Sequence, residues 1–201
     1  PVIFQPPVDI TTTGNEVWIA GKGVKTSWGG CYIYASEDNI NYRRVGQLTN
    51  SSRLGKLISD ISADDTTITV SCNDQLISGT KEDAENRNTL CWIDGECFSY
   101  QTAQMDSNGN YTLSGCIRGQ YNTSKRSHTS GSDFVRCDTY LAKLPFQKED
   151  IGKKAYLKFC SYNIFGANVQ DLADVQAYQY TIQQYYLPPV TGVMARNRYR
   201  K

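Results

Sequence analysis

Residues 89–122 read TLCWIDGECFSYQTAQMDSNGNYTLSGCIRGQYN, and the parsing of this stretch decides the fold. Asp94-Gly95 and Asn108-Gly109 each sit between runs rich in Tyr, Phe, Trp, Thr, Ile and Cys. Such pairs reach the positive φ angles of a two-residue hairpin turn, because Gly has no Cβ to clash and Asp and Asn tolerate the left-handed region. The stretch therefore predicts a three-stranded meander over 90–93, 96–105 and 111–117. In that register Cys97 lies opposite Trp92 and Cys91 opposite Phe98. The two thiols then point to opposite faces and do not meet in a disulfide.

Outward from the meander the chain stays strand-rich. Upstream, 16–21 (EVWIAG), 31–36 (CYIYAS) and 42–48 (YRRVGQL) alternate as strands, with Trp28-Gly29-Gly30 as a break before the second. Residues 1–13 are a Pro-rich, extended lead-in, and 50–55 mark a crossing. A β-branched strand follows at 66–72 (TTITVSC). A short polar helix is expected in 78–88, with Ser78 or Thr80 as N-cap and Glu82 and Asp83 in the first turn. Downstream, 133–140 (DFVRCDTY), 154–162 (KAYLKFCSY) and 174–182 (DVQAYQYTI) read as strands, 120–132 as a polar loop, and 148–151 as a single helical turn.

The first three and last two strands suit one fibronectin-like sandwich split in sequence. The expected fold class is all-β, a fibronectin-like β-sandwich with an inserted small β-domain (barrel or meander) and one short helix. Residues 1–60 and 146–186 would form the discontinuous outer sandwich and 61–145 the insert. Residues 187–201, which open on Leu187-Pro188-Pro189-Val190, would begin a following fibronectin-like module or linker. The chain thus reads as a piece of a longer, multi-module protein.

With 21 basic and 20 acidic residues the chain is near neutral, and the global balance supports neither nucleic-acid binding nor a polybasic membrane patch. No apolar run approaches the ~18 residues of a membrane span. The cysteines number seven, an odd count without C-x-x-C, and there is one His. That composition suits small buried thiols in a reducing compartment rather than a disulfide framework or a zinc site.

Candidate chemistry is sparse. His128 lies in a polar loop and reads as a surface or loop-anchoring residue, since an adjacent Ser127 makes no nucleophile–base pair by itself. Asp94, Glu96, Asp106 and Asp133 could in principle pair for glycoside chemistry, but all fall at turns or strand ends, where turn geometry accounts for them. The run 106–110 (DSNGN) resembles a calcium loop but has Tyr111 and Ile117 where Gly and Glu are required. Asp60, Asp64 and Asp65 read as a solvated loop. Asn50, Asn110 and Asn122 satisfy the glycosylation pattern, which matters only in a eukaryotic secretory pathway. Trp18, Trp28, Trp92, Tyr32, Tyr34, Tyr185 and Tyr186 could build a sugar-stacking platform, though rings in alternating strands more often pack in cores. Arg118, closing the meander, is expected to pair with a carboxylate or backbone carbonyls and lock the following loop, with Gly119 permitting the turn.

The order of three segments resembles a known family. They are Leu76-Ile77-Ser78-Gly79-Thr80 with Glu82-Asp83-Ala84, then Gly95-Glu96-Cys97-Phe98 through Ala103, then Tyr111-Thr112-Leu113-Ser114 with Arg118-Gly119. His128 follows, and Gly131-Ser132-Asp133 leads into Phe134-Val135. This succession is similar to tail-tip (baseplate) hub proteins of long-tailed bacteriophages and gene transfer agents. Val17-Trp18-Ile19-Ala20 and Trp28-Gly29-Gly30-Cys31 upstream, and Asp150-Ile151-Gly152 and Tyr156-Leu157-Lys158-Phe159 downstream, extend the likeness to about 16–182. The chain departs from the family in its extra cysteines and in 118–123 (RGQYNT), where many relatives have a second Arg-Gly.

The resemblance implies a virion structural protein of the tail tip, made in the bacterial cytoplasm, not an enzyme. Its role would be tail assembly, host attachment and channel opening during genome entry. The implied partners are other tail-tip proteins and copies of itself, as a trimer in the full-length protein, together with a host surface receptor or glycan and no nucleic acid. No catalytic, cofactor-binding or metal-ligating residue is carried over, and no cofactor is expected. The alternative expectation is a carbohydrate-binding module for bacterial surface polysaccharide.

Overall fold

The computed structural model describes residues 1–184, and its regular structure is almost entirely antiparallel strands. They are β1 (Val2–Phe4), β2 (Glu16–Ala20), β3 (Trp28–Ser36), β4 (Arg43–Leu48), β5 (Leu54–Lys56), β6 (Ile68–Ser71), β7 (Leu90–Ile93) and β8 (Glu96–Ser99). Then come β9 (Thr102–Met105), β10 (Asn110–Ser114), β11 (Ile117–Gln120), β12 (Asp133–Arg136), β13 (Ala142–Pro145), β14 (Lys154–Asn163) and β15 (Tyr178–Thr181). One α-helix, α1 (Lys81–Glu85), interrupts them.

Strands from the two ends of the described chain share two sheets, ordered β1-β2-β13 and β15-β14-β3-β4, the three-plus-four arrangement of a fibronectin-like sandwich. The strands between them form two further sheets, β11-β8-β7-β12-β5 and β6-β10-β9. None of the four closes into a barrel.

The sheets stack because strand side chains alternate between faces. On β2, Val17 and Ile19 pack against Cys31, Ile33, Leu48 and Leu157 inside the outer sandwich. On its other face Trp18 and Ala20 join Val2, Phe4, Leu141 and Val135, with Leu54 and Trp92 against them. On β12 and β7, Phe134, Cys91 and Ile93 instead face Ile68, Val70, Leu113 and Phe98 of a third core. Three cores thus lie one behind another, and β2 is buried along its whole length because it has a sheet on each side.

The expected meander is a longer object. Asp94 (φ 45°) and Gly95 (φ 89°) make the two-residue turn, and Cys91 opposes Phe98 and Trp92 opposes Cys97 as the sequence implies. The predicted strand 96–105, however, breaks into β8 and β9, and its partner breaks into β10 and β11. This single ribbon leaves the five-stranded sheet and enters the three-stranded one. The bend is fixed at Gly115 (φ 63°), where a Cβ would lie 2.9 Å from that of Gln101. The second turn also differs. Gly109 alone takes positive φ, the Gly109 N–H donates to the Asp106 carbonyl (3.1 Å), and the Asp106 carboxylate accepts from the amides of Asn108 and Asn110. That is a type I turn with a following left-handed Gly, so 106–110 is a hairpin loop.

Other corrections share one cause, that strand pairing is settled by distant partners. Leu54–Lys56, read as a crossing, pairs with β12. Ala142–Pro145, read as a link, pairs with β2 at a sheet edge, where Pro is tolerated. The lead-in supplies β1, paired with β2. The strands change sheets between residues 48 and 54 and again between 136 and 142. Trp28-Gly29-Gly30 is not a break but the start of β3, paired with β14 through a register shift. Gly29 is needed there, since a Cβ would stand 2.2 Å from the Asn163 carbonyl oxygen. Residues 187–201, the proposed onset of another module, lie outside the described residues.

The seven cysteines are free thiols, five of them buried. Burial pushes Cys31 up to about 11 and Cys97 and Cys116 up to about 12. Helix α1 opens as the sequence implies. Thr80 is the N-cap, its hydroxyl accepting from the Asp83 amide (3.1 Å), while the Asp83 carboxylate accepts from the Thr80 amide (2.8 Å). Replacing Thr80 by Ala is expected to cost about 1 kcal/mol in urea denaturation, with Thr80→Ser close to wild type.

Candidate functional site

Residues from three of the sequence segments singled out above meet in one buried cluster at the edge of the five-stranded sheet. Glu96 is the first residue after the Asp94-Gly95 turn, opposite Ile93. All of β8 is buried, so this carboxylate cannot be hydrated and must be paired inside the protein. The Arg118 side chain arrives from β11, the neighbouring strand. Its Nε donates to Glu96 Oε1 at 2.7 Å and its Nη2 to Oε2 at 2.8 Å, a two-pronged fit of guanidinium to carboxylate. The two side chains are 3% and 1% exposed, which excludes solvent from the pair.

The rest of the cluster saturates both partners. Arg118 Nη1 donates to the carbonyls of Ser62 (3.0 Å) and Asp65 (3.2 Å), and Nη2 also to that of Arg126 (2.8 Å). All five guanidinium N–H groups are therefore used. Glu96 Oε1 accepts from the Gly119 amide (3.1 Å) and Oε2 from the Arg126 amide (3.2 Å) and His128 Nε2 (2.9 Å). Because an ionised carboxylate only accepts, Nε2 is the protonated nitrogen of His128. Nδ1 has no hydrogen-bond partner among the described residues. The His128 and Ile61 backbones also bond each other reciprocally at 3.0 and 2.9 Å. Three segments are thereby tied to one ion pair: 61–65, the β8–β11 rung, and 126–128.

Burial raises the affinity of Glu96 for a proton, but the Arg118 and His128 hydrogen bonds and the Arg126 amide outweigh it, so the pKa is lowered below 4.5. Glu16 behaves alike: burial raises its pKa, while the Trp18 indole N–H, the Thr12 and Thr13 amides and Lys143 together lower it. A carboxylate with a lowered folded pKa stabilises the fold above its unfolded pKa, and that contribution is lost as pH falls through the folded value. Stability is therefore expected to hold from neutral pH to about 5 and to drop below 4.5, the ordinary value. Urea melts at a series of pH values check this, and the drop should be shallower in Glu96→Gln.

The cluster has neither a free acceptor on Glu96 nor a free donor on Arg118. Its chemistry is that of a lock. The expectation that Arg118 pairs with a carboxylate and carbonyls, with Gly119 (φ 69°) allowing the turn, describes it correctly. His128 anchors a loop as expected but from the interior, at 4% exposure. Glu96 is more than the turn-flanking carboxylate expected from the sequence; the signal for this is its place in a strand, 96–99 (ECFS), whose other residues carry no charge. Asp94, Asp106 and Asp133 do not join it. Asp106 holds its own turn, and Asp133 pairs with Lys56 at 2.7 Å on the surface. Asp60 and Asp65 accept from the Ser130 and Ser62 amides as loop-forming groups. No group of three His, Cys, Asp or Glu suited to a metal ion occurs among the described residues.

The aromatic candidates are dispersed. Trp18 is buried, with Phe4 at its edge and Lys143 over its ring. Trp92 stacks on Phe4 at 4.5 Å, and Tyr32 is covered by Tyr162 and by the Arg44 guanidinium. Trp28 is half-buried and donates to Ser161 Oγ (3.1 Å). Tyr185 and Tyr186 lie outside the described residues.

Residues 44–135 match the family described as Rcc01698-like, C-terminal, a family of uncharacterised proteins. The matched segment runs from β4 to β12 and contains Glu96, Arg118 and His128, so the cluster lies wholly within the similarity. No curated protein matches the chain.

Proposed function

We propose that the chain is a structural component of a bacteriophage tail tip, of the hub or central-fibre type, acting in tail assembly, host attachment and channel opening. The observation that carries this reading is the cluster. Glu96, Arg118, Gly119 and His128, which belong to the segments whose order resembles tail-hub proteins, are joined by hydrogen bonds in the interior. A cluster built for chemistry would leave a reactive group open to a substrate, whereas here every guanidinium N–H of Arg118 and both carboxylate oxygens of Glu96 are spent on fixing loops. Three stacked cores give the rigidity that a load-bearing part of a tail machine needs.

On this reading the protein acts in the virion, is made in the bacterial cytoplasm, and contacts other tail-tip proteins and further copies of itself, as a trimer in the full-length protein. It works mechanically and not as an enzyme, and a host receptor or surface glycan is its external partner. Antibodies against the chain should label the distal end of the tail in electron micrographs of particles from the phage or cell carrying the gene. Disruption of the gene should leave particles without a functional tip. Unlabelled particles with normal infectivity would remove the proposal, and saturable glycan binding by this chain alone would favour a carbohydrate-binding module instead.

A further inference from the structure

The two loops at one end of the outer sandwich display an apolar tip. Val24, in the β2–β3 loop, is 102% exposed; Ile164 and Phe165, between β14 and β15, are 60% and 85% exposed. The loops are neighbours, since the Ile164 amide donates to the Ser27 carbonyl at 3.0 Å. Both are closed by their own hydrogen bonds. In the first, the Trp28 amide donates to the Lys25 carbonyl (3.1 Å), and Trp28 lies against Gly23 so closely that a Cβ there would meet the ring at 2.2 Å. In the second, Asn163 Oδ1 accepts from the amides of Phe165 (3.0 Å) and Ala167 (2.9 Å), and its carbonyl accepts from Gly166 (2.8 Å). These bonds fold the loops so that the apolar side chains point outward.

Charge indicates what meets them. Lys22 and Lys25 flank Val24, both exposed and in no ion pair among the described residues. Neither 21–30 (GKGVKTSWGG) nor 161–170 (SYNIFGANVQ) contains a carboxylate; Asp171 and Asp174 follow only after the second loop has turned back along β14, where the Gln170 amide donates to the Ser161 carbonyl (2.9 Å). In a chain whose overall charge is near zero, this end is locally cationic. Apolar side chains projecting singly from loop tips offer no groove to a protein partner. Beside unpaired lysines they suit a lipid headgroup layer, where the ammonium groups meet phosphates and Phe165, Ile164 and Val24 enter the acyl boundary. We propose that this tip docks on an anionic phospholipid bilayer. The inference does not rest on the tail-tip reading.

The test is co-sedimentation of the 201-residue chain with vesicles of phosphatidylcholine and phosphatidylglycerol in equal parts, against phosphatidylcholine alone. Binding should need the anionic lipid and weaken with salt. Phe165→Ser should reduce it roughly tenfold or more, and Lys22→Gln and Lys25→Gln roughly fivefold each. These side chains are exposed, so thermal melts of the variants should match wild type. Absence of binding to the anionic vesicles overturns the proposal, as does binding that survives these substitutions. Self-association of the chain that is abolished by Phe165→Ser, without vesicle binding, assigns the tip to a second copy and overturns it equally.

Discussion

Replacing Glu96 by Ala is expected to destabilise the protein by about 3–5 kcal/mol, the cost of leaving a buried guanidinium without its counter-ion. The Arg118 side chain is 3% exposed and cannot swing to water. The amides of Gly119 and Arg126 lose their acceptor at the same time. Arg118→Ala should cost as much by the converse route, stranding the carboxylate and the carbonyls of Ser62, Asp65 and Arg126. Glu96→Gln keeps one acceptor oxygen but turns an amide nitrogen toward donors, so it should fall between. The pair is not predicted to be irreplaceable. A Glu96→Leu, Arg118→Met double variant removes both charges together and should lose much less than the sum of the single losses, because desolvation of the ion pair offsets most of its attraction. Urea denaturation of this double variant beside Glu96→Leu and Arg118→Met alone gives the coupling directly. A loss below about 1 kcal/mol for Glu96→Ala would mean that water reaches the site and that the lock is not one.

The cluster also shows where sequence reading stops. Local signals survive folding well. The Asp94-Gly95 turn, the Thr80 cap with Asp83 and the strand of Lys154–Asn163 are each set by residues within a few positions of one another. The assignment of Arg118 and Gly119 succeeds for the same reason, since an Arg followed by Gly at a strand end has few uses. What stays hidden is the identity of distant partners. Nothing near Leu54 or Ala142 announces that they extend sheets begun far away in sequence, and both segments are short with a Gly or Pro inside. Glu96 and His128 lie 32 residues apart, and a polar loop around His128 gives no sign that its ring turns inward. The sheet change within 96–105 is equally invisible, because the bend is dictated by Gly115 on the opposite strand.

Trp18→Ala should cost about 3–5 kcal/mol, from the lost apolar contact and the cavity left behind. Its consequence should differ in kind from that of Ile19→Ala, one residue along the same strand. Ile19 faces the interior of the outer sandwich, so its truncation weakens that sandwich alone. Trp18 lies in the layer where the outer sandwich meets Val135 and Trp92 of the inserted sheets. Its indole N–H donates to the Glu16 carboxylate at 2.7 Å, so removing it also withdraws a partner from a buried acid. With that layer emptied, the two halves keep their own cores but lose the contact that makes them unfold together. Wild type should therefore melt in one transition and Trp18→Ala in two. Hydrogen exchange should then show the amides of β7 and β12 opening separately from those of β3 and β14. Trp18→Phe, which retains most of the apolar contact but not the N–H, should lower stability while keeping one transition. A single, uniformly shifted transition in Trp18→Ala, matching that of Ile19→Ala, would show instead that the chain segments crossing between the sheets couple the halves without help from this core.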